Sequence, residues 1–148
     1  MDRQTRIEQL CGCYVTIPTM FEDSDLSLNL AGVKKHVRFL LDGGLKTGNS
    51  VILAGGAAGD FSTMSFEERV SLVDAVVQEV EGRVPVIMGA QTTSTAELVE
   101  LTKAAERVGA DYVQVSPPYY FEATEGDFYD YVVASSEAAD VGIIIYNT

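Results

Sequence analysis

The residues best suited to chemistry lie in three short loops, each of which follows an apolar run. The first loop, Gly55 to Phe61, reads Gly-Gly-Ala-Ala-Gly-Asp-Phe, and its backbone amides are open enough to hold an anion. It lacks both the Lys-Ser/Thr pair of a phosphate loop and the G-x-G-x-x-G spacing of a dinucleotide-binding loop. A turn without a ligand is the alternative interpretation, because glycine serves a tight turn equally well.

The other two loops carry tyrosines. The loop from Ser116 to Phe121 contains two prolines, which stiffen the backbone and present Tyr119 and Tyr120 on a rigid support. The third loop is Tyr146-Asn147-Thr148. A phenol with an ordinary pKa of about 10 can shuttle a proton or donate a hydrogen bond to a carboxylate. Simple packing of aromatic side chains is the alternative for the first pair.

Five apolar runs that precede or separate these loops predict β-strands. They are short, rich in β-branched residues and continuous rather than alternating, which is typical of parallel strands covered on both faces. The predicted strands are Tyr14 to Ile17, Val51 to Ala54, Val86 to Met88, Tyr112 to Val115, and Ile143 to Tyr146.

Four helices are predicted between the strands. Two of them begin at reciprocal capping signals, Ser65 to Glu68 and Ser94 to Glu97, and the second of these ends at Gly109. The other two extend from about Leu28 to Leu41 and from about Phe128 to Ala139. The alternation of strand and helix predicts an α/β chain of βα units.

Two architectures use such a run of units. One is an open, doubly wound sheet, and the other is a (β/α)8 TIM barrel, of which this chain would supply about the first five strands and four helices. Periodicity alone does not separate them. In both, chemistry gathers at the carboxyl ends of the strands, which is where all three loops lie.

Composition limits the class of protein. The chain has 148 residues, 47% of them hydrophobic, and a formal net charge of -12, so we expect one domain over residues 1–148 and no nucleic-acid partner. No apolar run approaches about 18 residues, so we expect no membrane segment and a cytoplasmic protein. Cys11 and Cys13 lack the ligand count of a zinc site, and no metal is expected.

Taken in order, these segments resemble the dihydrodipicolinate synthase / N-acetylneuraminate lyase family, whose members are Schiff-base-forming, pyruvate-handling (β/α)8 barrels. The resemblance begins at about residue 12 and covers nearly all of the chain. The matching stretches are 14–19, 56–61, 65–69, 82–89, 105–111, 117–120 and 145–147.

The resemblance implies a class I mechanism, in which a lysine amine attacks the keto carbon of pyruvate or a related 2-oxo acid. It implies that Tyr146 is a proton relay and that Tyr120 completes a hydroxyl chain, in synthase-like members within a neighbouring subunit's site. It further implies a homo-oligomer, a dimer or a tetramer, with no metal or organic cofactor. The residues that would hold the substrate carboxylate are Gly56, Ala57, Ala58 and Gly59.

The glycine-rich loop departs from the family pattern. Ala57 and Ala58 stand where the family typically has Thr-Thr or Ser-Thr, so the side-chain hydroxyls are missing while the backbone amides remain. The usual tyrosine–threonine–tyrosine relay cannot be built. This favours an aldolase, lyase or dehydratase that acts on another 2-oxo acid, or a catalytically weakened relative, over dihydrodipicolinate synthesis.

The Schiff-base lysine is the second departure. The family carries it on the sixth strand, and none of Lys34, Lys35, Lys46 and Lys103 follows a strand. We therefore expect the catalytic lysine beyond residue 148, and the chain alone to be inactive and prone to assembly through its open sheet edges. Two alternatives stay open: a non-catalytic relative or truncated module that binds a small anion or only assembles with partners, and a flavodoxin-like nucleotide module.

Overall fold

The computed structural model describes residues 3–120 and 122–147. The elements in chain order are α1 (Arg3–Gln9), β1 (Cys13–Thr16), α2 (Leu30–Asp42), β2 (Ser50–Ala54), α3 (Phe66–Val80), β3 (Val86–Gly89), α4 (Thr95–Val108), β4 (Tyr112–Val115), α5 (Glu125–Ala138) and β5 (Gly142–Ile145). Two 3-10 turns, Ala57–Gly59 and Phe61–Thr63, lie between β2 and α3. All five predicted strands and all four predicted helices are present. A further helix, α1, precedes the first strand and was not predicted.

The order of the strands selects the architecture. The strands lie in the order β1-β2-β3-β4-β5, and each is parallel to the next. A doubly wound sheet reverses its strand order at a switch point, whereas a barrel adds each strand beside the last. The chain is therefore the first five strands of a (β/α)8 barrel, as predicted, and the flavodoxin-like alternative is wrong.

Burial on both faces explains why the strands read as continuous apolar runs. On one face, residues such as Ile52, Met88 and Val113 pack with the helices in the main core. On the opposite face, which is the barrel interior, Val51, Leu53, Ile87 and Tyr112 form a second cluster with Ile144 packed against it. Because neighbouring strand residues point to opposite faces, the two clusters share the strands without mixing.

The helix starts follow from local capping. The Ser65–Glu68 box is formed at α3. At α4 the Ser94 hydroxyl accepts from the Glu97 amide, but the predicted reciprocal bond is not formed, because the Glu97 carboxylate accepts from the Thr92 hydroxyl instead. A further box, made by Thr124 and Asp127, starts α5 three residues before the predicted position. These side chains satisfy amides that have no partner within the helix.

The helix α1 closes the amino edge of the sheet. Tyr112 donates its phenolic hydrogen to the carbonyl of Arg6 at 2.7 Å, and the Arg6 guanidinium pairs with Asp140 at 2.8 Å. This short helix, which has no acidic residue in its first turn, carried no start signal that the sequence analysis could use. Within the described residues, no helix combines the length and apolar character needed to cross a membrane.

Candidate active site at the carboxyl edge of the sheet

A cleft of about 390 Å³ opens at the carboxyl edge of the sheet. It draws on the loops after β2, β3, β4 and β5, so the three loops singled out in the sequence meet there, as the parallel order requires. The lining residues are Ala57, Phe61, Gln91, Ser116, Pro117, Pro118, Tyr119 and Tyr146. A larger cavity of about 560 Å³ lies near α1, at the amino edge, where barrels of this type keep stability rather than chemistry.

Close packing fixes the shape of the glycine-rich loop. A Cβ atom on Gly56 would lie 2.4 Å from the Leu53 side chain, and one on Gly59 would lie 3.0 Å from the carbonyl oxygen of Ile17. The Thr19 hydroxyl donates to the Gly59 carbonyl at 2.6 Å and ties the loop to the segment after β1. The loop is therefore a rigid turn seated on the sheet.

Ala57 and Ala58 occupy the exposed side of this turn. They begin the first 3-10 turn, and the first amides of a helical turn have no partner within it. Their methyl groups neither donate nor accept hydrogen bonds. Any polar recognition by these two residues comes from the backbone N–H groups.

Tyr146 reaches the cleft and Tyr120 does not. The amide of Tyr146 donates to the Val115 carbonyl at 2.8 Å, which continues the strand pairing by one residue and keeps the side chain on the interior face with Ile144. Tyr120 is 76% exposed, while its neighbour Tyr119 lines the cleft. Phe121 and Thr148, the last residues of their loops, lie outside the described residues.

Another phenol on the interior face, that of Tyr14, was not predicted as a site residue. Tyr14 on β1 donates to the side-chain carbonyl of Gln114 on β4 at 2.5 Å. Burial raises the pKa of Tyr14 to about 12, and the nearby phenol of Tyr146 acts in the same direction. The signal available in the sequence was Gln114, a polar residue inside an otherwise apolar run. In the structure Gln114 is 3% exposed.

Two buried polar side chains lie near the carboxyl end of β3. Gln91 is 4% exposed, and its carbonyl oxygen has no hydrogen-bond partner among the described residues. Arg69 on α3 is equally buried and donates to the Gly89 carbonyl at 2.7 Å. Burial lowers the pKa of the Arg69 guanidinium, while the charge of Glu97 acts against that shift.

Aromatic contacts join the loop after β2 to the loop after β4. The guanidinium carbon of Arg69 lies 5.6 Å from the centre of the Phe61 ring. The Phe61 ring meets the Tyr119 ring edge-on, with centroids 5.9 Å apart and planes at 68°. Phe61 and Tyr119 were predicted in separate loops, and their contact beside Arg69 was not predicted.

Hydrogen bonds from α5 support the segment between β3 and α4. The Tyr131 hydroxyl donates to the Thr92 carbonyl at 2.7 Å, and the Thr92 hydroxyl donates to the Glu97 carboxylate. Burial raises the pKa of Tyr131, and the charge of Glu97 adds to that effect. These hydrogen bonds therefore fix the segment that contains Gln91 against α4 and α5.

The four lysines lie away from the cleft. Lys34 and Lys35 are on α2, Lys46 precedes β2 at the amino edge, and Lys103 on α4 pairs with Glu100 at 2.9 Å. Among the described residues, no group of three His, Cys, Asp or Glu side chains is placed to hold a metal ion. The cleft as described offers phenols, a primary amide, a hydroxyl and backbone donors.

Comparison with known proteins gives consistent matches. The sequence model of the dihydrodipicolinate synthetase family matches residues 9–148. A 4-hydroxy-tetrahydrodipicolinate synthase of Thermotoga neapolitana is 37% identical over 136 residues, covering 92% of this chain and 44% of the relative. One from Neisseria meningitidis is 38% identical over 113 residues, covering 76% of this chain and 39% of the relative. The chain thus spans less than half the length of these curated relatives.

Solved structures agree with the sequence matches. Dihydrodipicolinate synthase from Aquifex aeolicus superposes with a TM-score of 0.86 at 31% identity and covers 94% of this chain and 45% of its own. N-acetylneuraminate lyase from Mycoplasma synoviae gives 0.85 at 28% identity, covering 95% and 47%. YagE from Escherichia coli, in complex with pyruvate, gives 0.86 at 27% identity, covering 93% and 45%.

Proposed function

We propose a function from one premise, which is that the chain belongs to the dihydrodipicolinate synthetase family. The proposed function is that of a class I lyase, in which these residues form the carboxylate-binding and proton-transfer part of a site for pyruvate or another 2-oxo acid. The observation that carries it is the cleft at the carboxyl edge, where Ala57 of the glycine-rich loop and Tyr146 both line the wall.

The proposed reaction uses an amine as nucleophile. A lysine amine adds to the keto carbon, water leaves, and the resulting iminium withdraws electrons from the neighbouring C–C or C–O bond. No lysine of residues 1–148 lies at the carboxyl edge, so we propose that sequence beyond residue 148 supplies it. This stretch alone is then proposed to be inactive.

Within this scheme, the backbone amides of Ala57 and Ala58 hold the substrate carboxylate. Gly56 and Gly59 allow the close packing that seats the turn carrying those amides against the sheet. Backbone donors bind an anion regardless of the side chain, so the two methyl groups leave this part of the proposal intact.

Tyr146 is the proposed proton relay. Tyr146 lines the cleft, and it lies close enough to Tyr14 to contribute to the raised pKa of that phenol. Tyr120 is proposed to act in a neighbouring subunit's site, in a dimer or tetramer, which its 76% exposure supports.

The missing hydroxyls bear on the reaction type. Loss of a hydroxyl whose partner stays buried and unpaired costs about 1 to 3 kcal/mol, so the Ala57-Ala58 pair would weaken a relay built through that position. We therefore propose an aldolase, lyase or dehydratase rather than a synthase that depends on the full relay. Pyruvate is the probe of choice, because it is bound in the structures of YagE and of dihydrodipicolinate synthase from Acinetobacter baumannii.

Borohydride reduction in the presence of pyruvate tests this function on the natural gene product that contains these residues. We expect one reduced pyruvyl group on a single lysine, identified by peptide mass spectrometry, and none when pyruvate is omitted. Tyr146→Phe should retain the trapped lysine while turnover of an accepted substrate falls by about 10²- to 10⁴-fold, as for loss of a general acid–base group. Tyr129→Phe, on the exposed face of α5, is the matched control.

A non-catalytic anion-binding relative is the second candidate, and the Ala57-Ala58 pair favours it. Such a protein would bind pyruvate in titration calorimetry without forming a reducible adduct. Calorimetric binding with no trapped lysine at saturating pyruvate would select this candidate over the enzyme.

A further inference from the structure

The carboxyl edge contains a buried cation that the proposed reaction does not use. Arg69 is 4% exposed, and among the described residues no carboxylate forms an ion pair with it. Its Nε is also buried without a hydrogen-bond partner. Burying a charge without an ion pair costs free energy of folding, so the other contacts of Arg69 must offset this cost.

The contacts of Arg69 reach two different loops. One terminal nitrogen donates to the carbonyl of Gly89 at the end of β3, 2.7 Å away. The guanidinium also packs over the Phe61 ring, with its carbon 5.6 Å from the ring centre. A planar guanidinium can donate from its edge while its face lies on an aromatic ring, which an ammonium group cannot do as well.

Phe61 carries the contact onward to the tyrosine loop. Its ring meets Tyr119 edge-on at 5.9 Å, an arrangement favoured by the quadrupoles of the two rings. Asp60, just before Phe61, has a left-handed backbone with φ of 54°, so the chain turns sharply where the ring leaves the glycine-rich loop. Tyr119 is followed directly by Tyr120, so the backbone held at the first ring also sets the direction of the second.

We propose that Arg69 is a positioning residue that orients the Tyr119-Tyr120 loop against the glycine-rich loop through the Phe61 ring. This inference rests on the proposed function in giving Tyr120 a role in proton transfer. The aromatic contact of Phe61 with Tyr119 is one link between these two loops, and Ala57 and Ala58 have no side-chain hydrogen-bonding group to add to it. Arg69 lies outside the cleft lining and acts on substrate only through these rings.

Residues 1–148 contain no tryptophan, so one introduced there can report on this link in the natural gene product, as the difference from the same protein without it. In a Tyr120→Trp background, Arg69→Met and Phe61→Leu should each at least double the amplitude of fast local depolarisation in time-resolved fluorescence anisotropy. Arg69→Lys should give an intermediate value, since the charge is kept and the planar face is lost. The double variant should be no more mobile than the more mobile single variant, because both act on one link.

Arg107→Met, an exposed arginine on α4, is the matched control and should leave the anisotropy unchanged. All measurements are made where far-UV circular dichroism shows the folded state, so a purely structural role that only lowers the melting temperature would not move this readout. Unchanged mobility of the introduced tryptophan in both folded single variants, or full recovery by Arg69→Lys, would overturn the inference.

The natural gene product supplies the catalytic readout. Arg69→Met should lower kcat by about 10- to 100-fold, the size expected of a displaced catalytic group, with KM and pyruvate trapping little changed. If the proposed function fails, trapping is absent in the wild type as well, while the anisotropy result still decides whether the link exists. An equal kcat in variant and wild type would refute the catalytic consequence.

Discussion

Replacing Gly89 by alanine should destabilise the protein more than any ordinary glycine-to-alanine change. Gly89 ends β3 on the barrel interior, and a Cβ atom there would lie 2.0 Å from the carbonyl oxygen of Gly55 and 2.8 Å from Oε1 of Gln91. The glutamine end can swing away, but Gly55 is backbone in a turn with φ of 65°. The β3 end and the glycine-rich loop would have to separate.

The cost can be placed on a scale. Forcing an extra methyl into a packed site costs about 1 to 3 kcal/mol, and a backbone obstacle puts Gly89→Ala near the upper end, at about 3 kcal/mol. In a domain of about 150 to 250 residues, 1 kcal/mol corresponds to about 2 to 4 °C, so the melting temperature should fall by about 6 to 12 °C. Urea unfolding followed by far-UV circular dichroism measures the free energy of unfolding directly.

Gly126→Ala is the matched control for this experiment. Gly126 lies near the start of α5, and its added Cβ would meet only the Thr124 hydroxyl oxygen, at 3.8 Å. In a helix the change from glycine to alanine gains about 0.5 to 1 kcal/mol. A Gly89→Ala protein whose free energy of unfolding stays within about 0.5 kcal/mol of the wild type, the range of a neutral surface change, would show that β3 does not approach the glycine-rich loop as closely as described.

Three further predictions concern one titration and two hydrogen bonds. The raised pKa of Tyr14, about 12, stabilises the fold at pH values below the ordinary phenol value of 10.0. This contribution to the free energy of unfolding is lost as the pH rises from about 10 towards 12. Tyr14→Phe should therefore make the denaturant midpoint fall less over this pH range. Tyr131→Phe leaves the buried Thr92 carbonyl without its hydrogen-bond donor and should lower the free energy of unfolding in urea by about 1 to 3 kcal/mol. Tyr129 is 69% exposed on the same helix, and Tyr129→Phe should change that free energy by no more than about 0.5 kcal/mol. Ser65→Ala removes the acceptor for the Glu68 amide and should lower the unfolding free energy by about 1 kcal/mol, with an unchanged midpoint contradicting the capping assignment.

Local signals in the sequence predicted the elements of the fold. Apolar runs gave each strand to within a residue, and the Ser65 and Ser94 caps placed two helix starts. The start of α5 was misplaced because its capping box uses Asp127, a shorter carboxylate than the glutamate of the usual pattern. The choice between barrel and open sheet could not be made locally, because both share the same βα units and differ only in strand order.

For the candidate site, the sequence predicted which loops lie together where strand direction alone decides proximity. Loops after parallel strands must share one edge, which is why Ala57 and Tyr146 were expected together and lie in one cleft. The link from Tyr14 to Gln114 spans 100 residues and that from Arg69 to Gly89 spans 20. Such pairings depend on register and on how a helix lies over the sheet, and neither is encoded in the spacing of the residues themselves.

The residues that line the cleft make an acidic chain compatible with the proposed anionic ligand. The formal net charge is -12, yet none of the described residues that line the cleft is an Asp, Glu, Lys or Arg. Salt screens exposed charges beyond about 10 Å, so the carboxylates on the outer helices weigh little on a carboxylate bound at the sheet edge. The net charge of the chain therefore does not argue against the proposed binding of an anion by backbone amides.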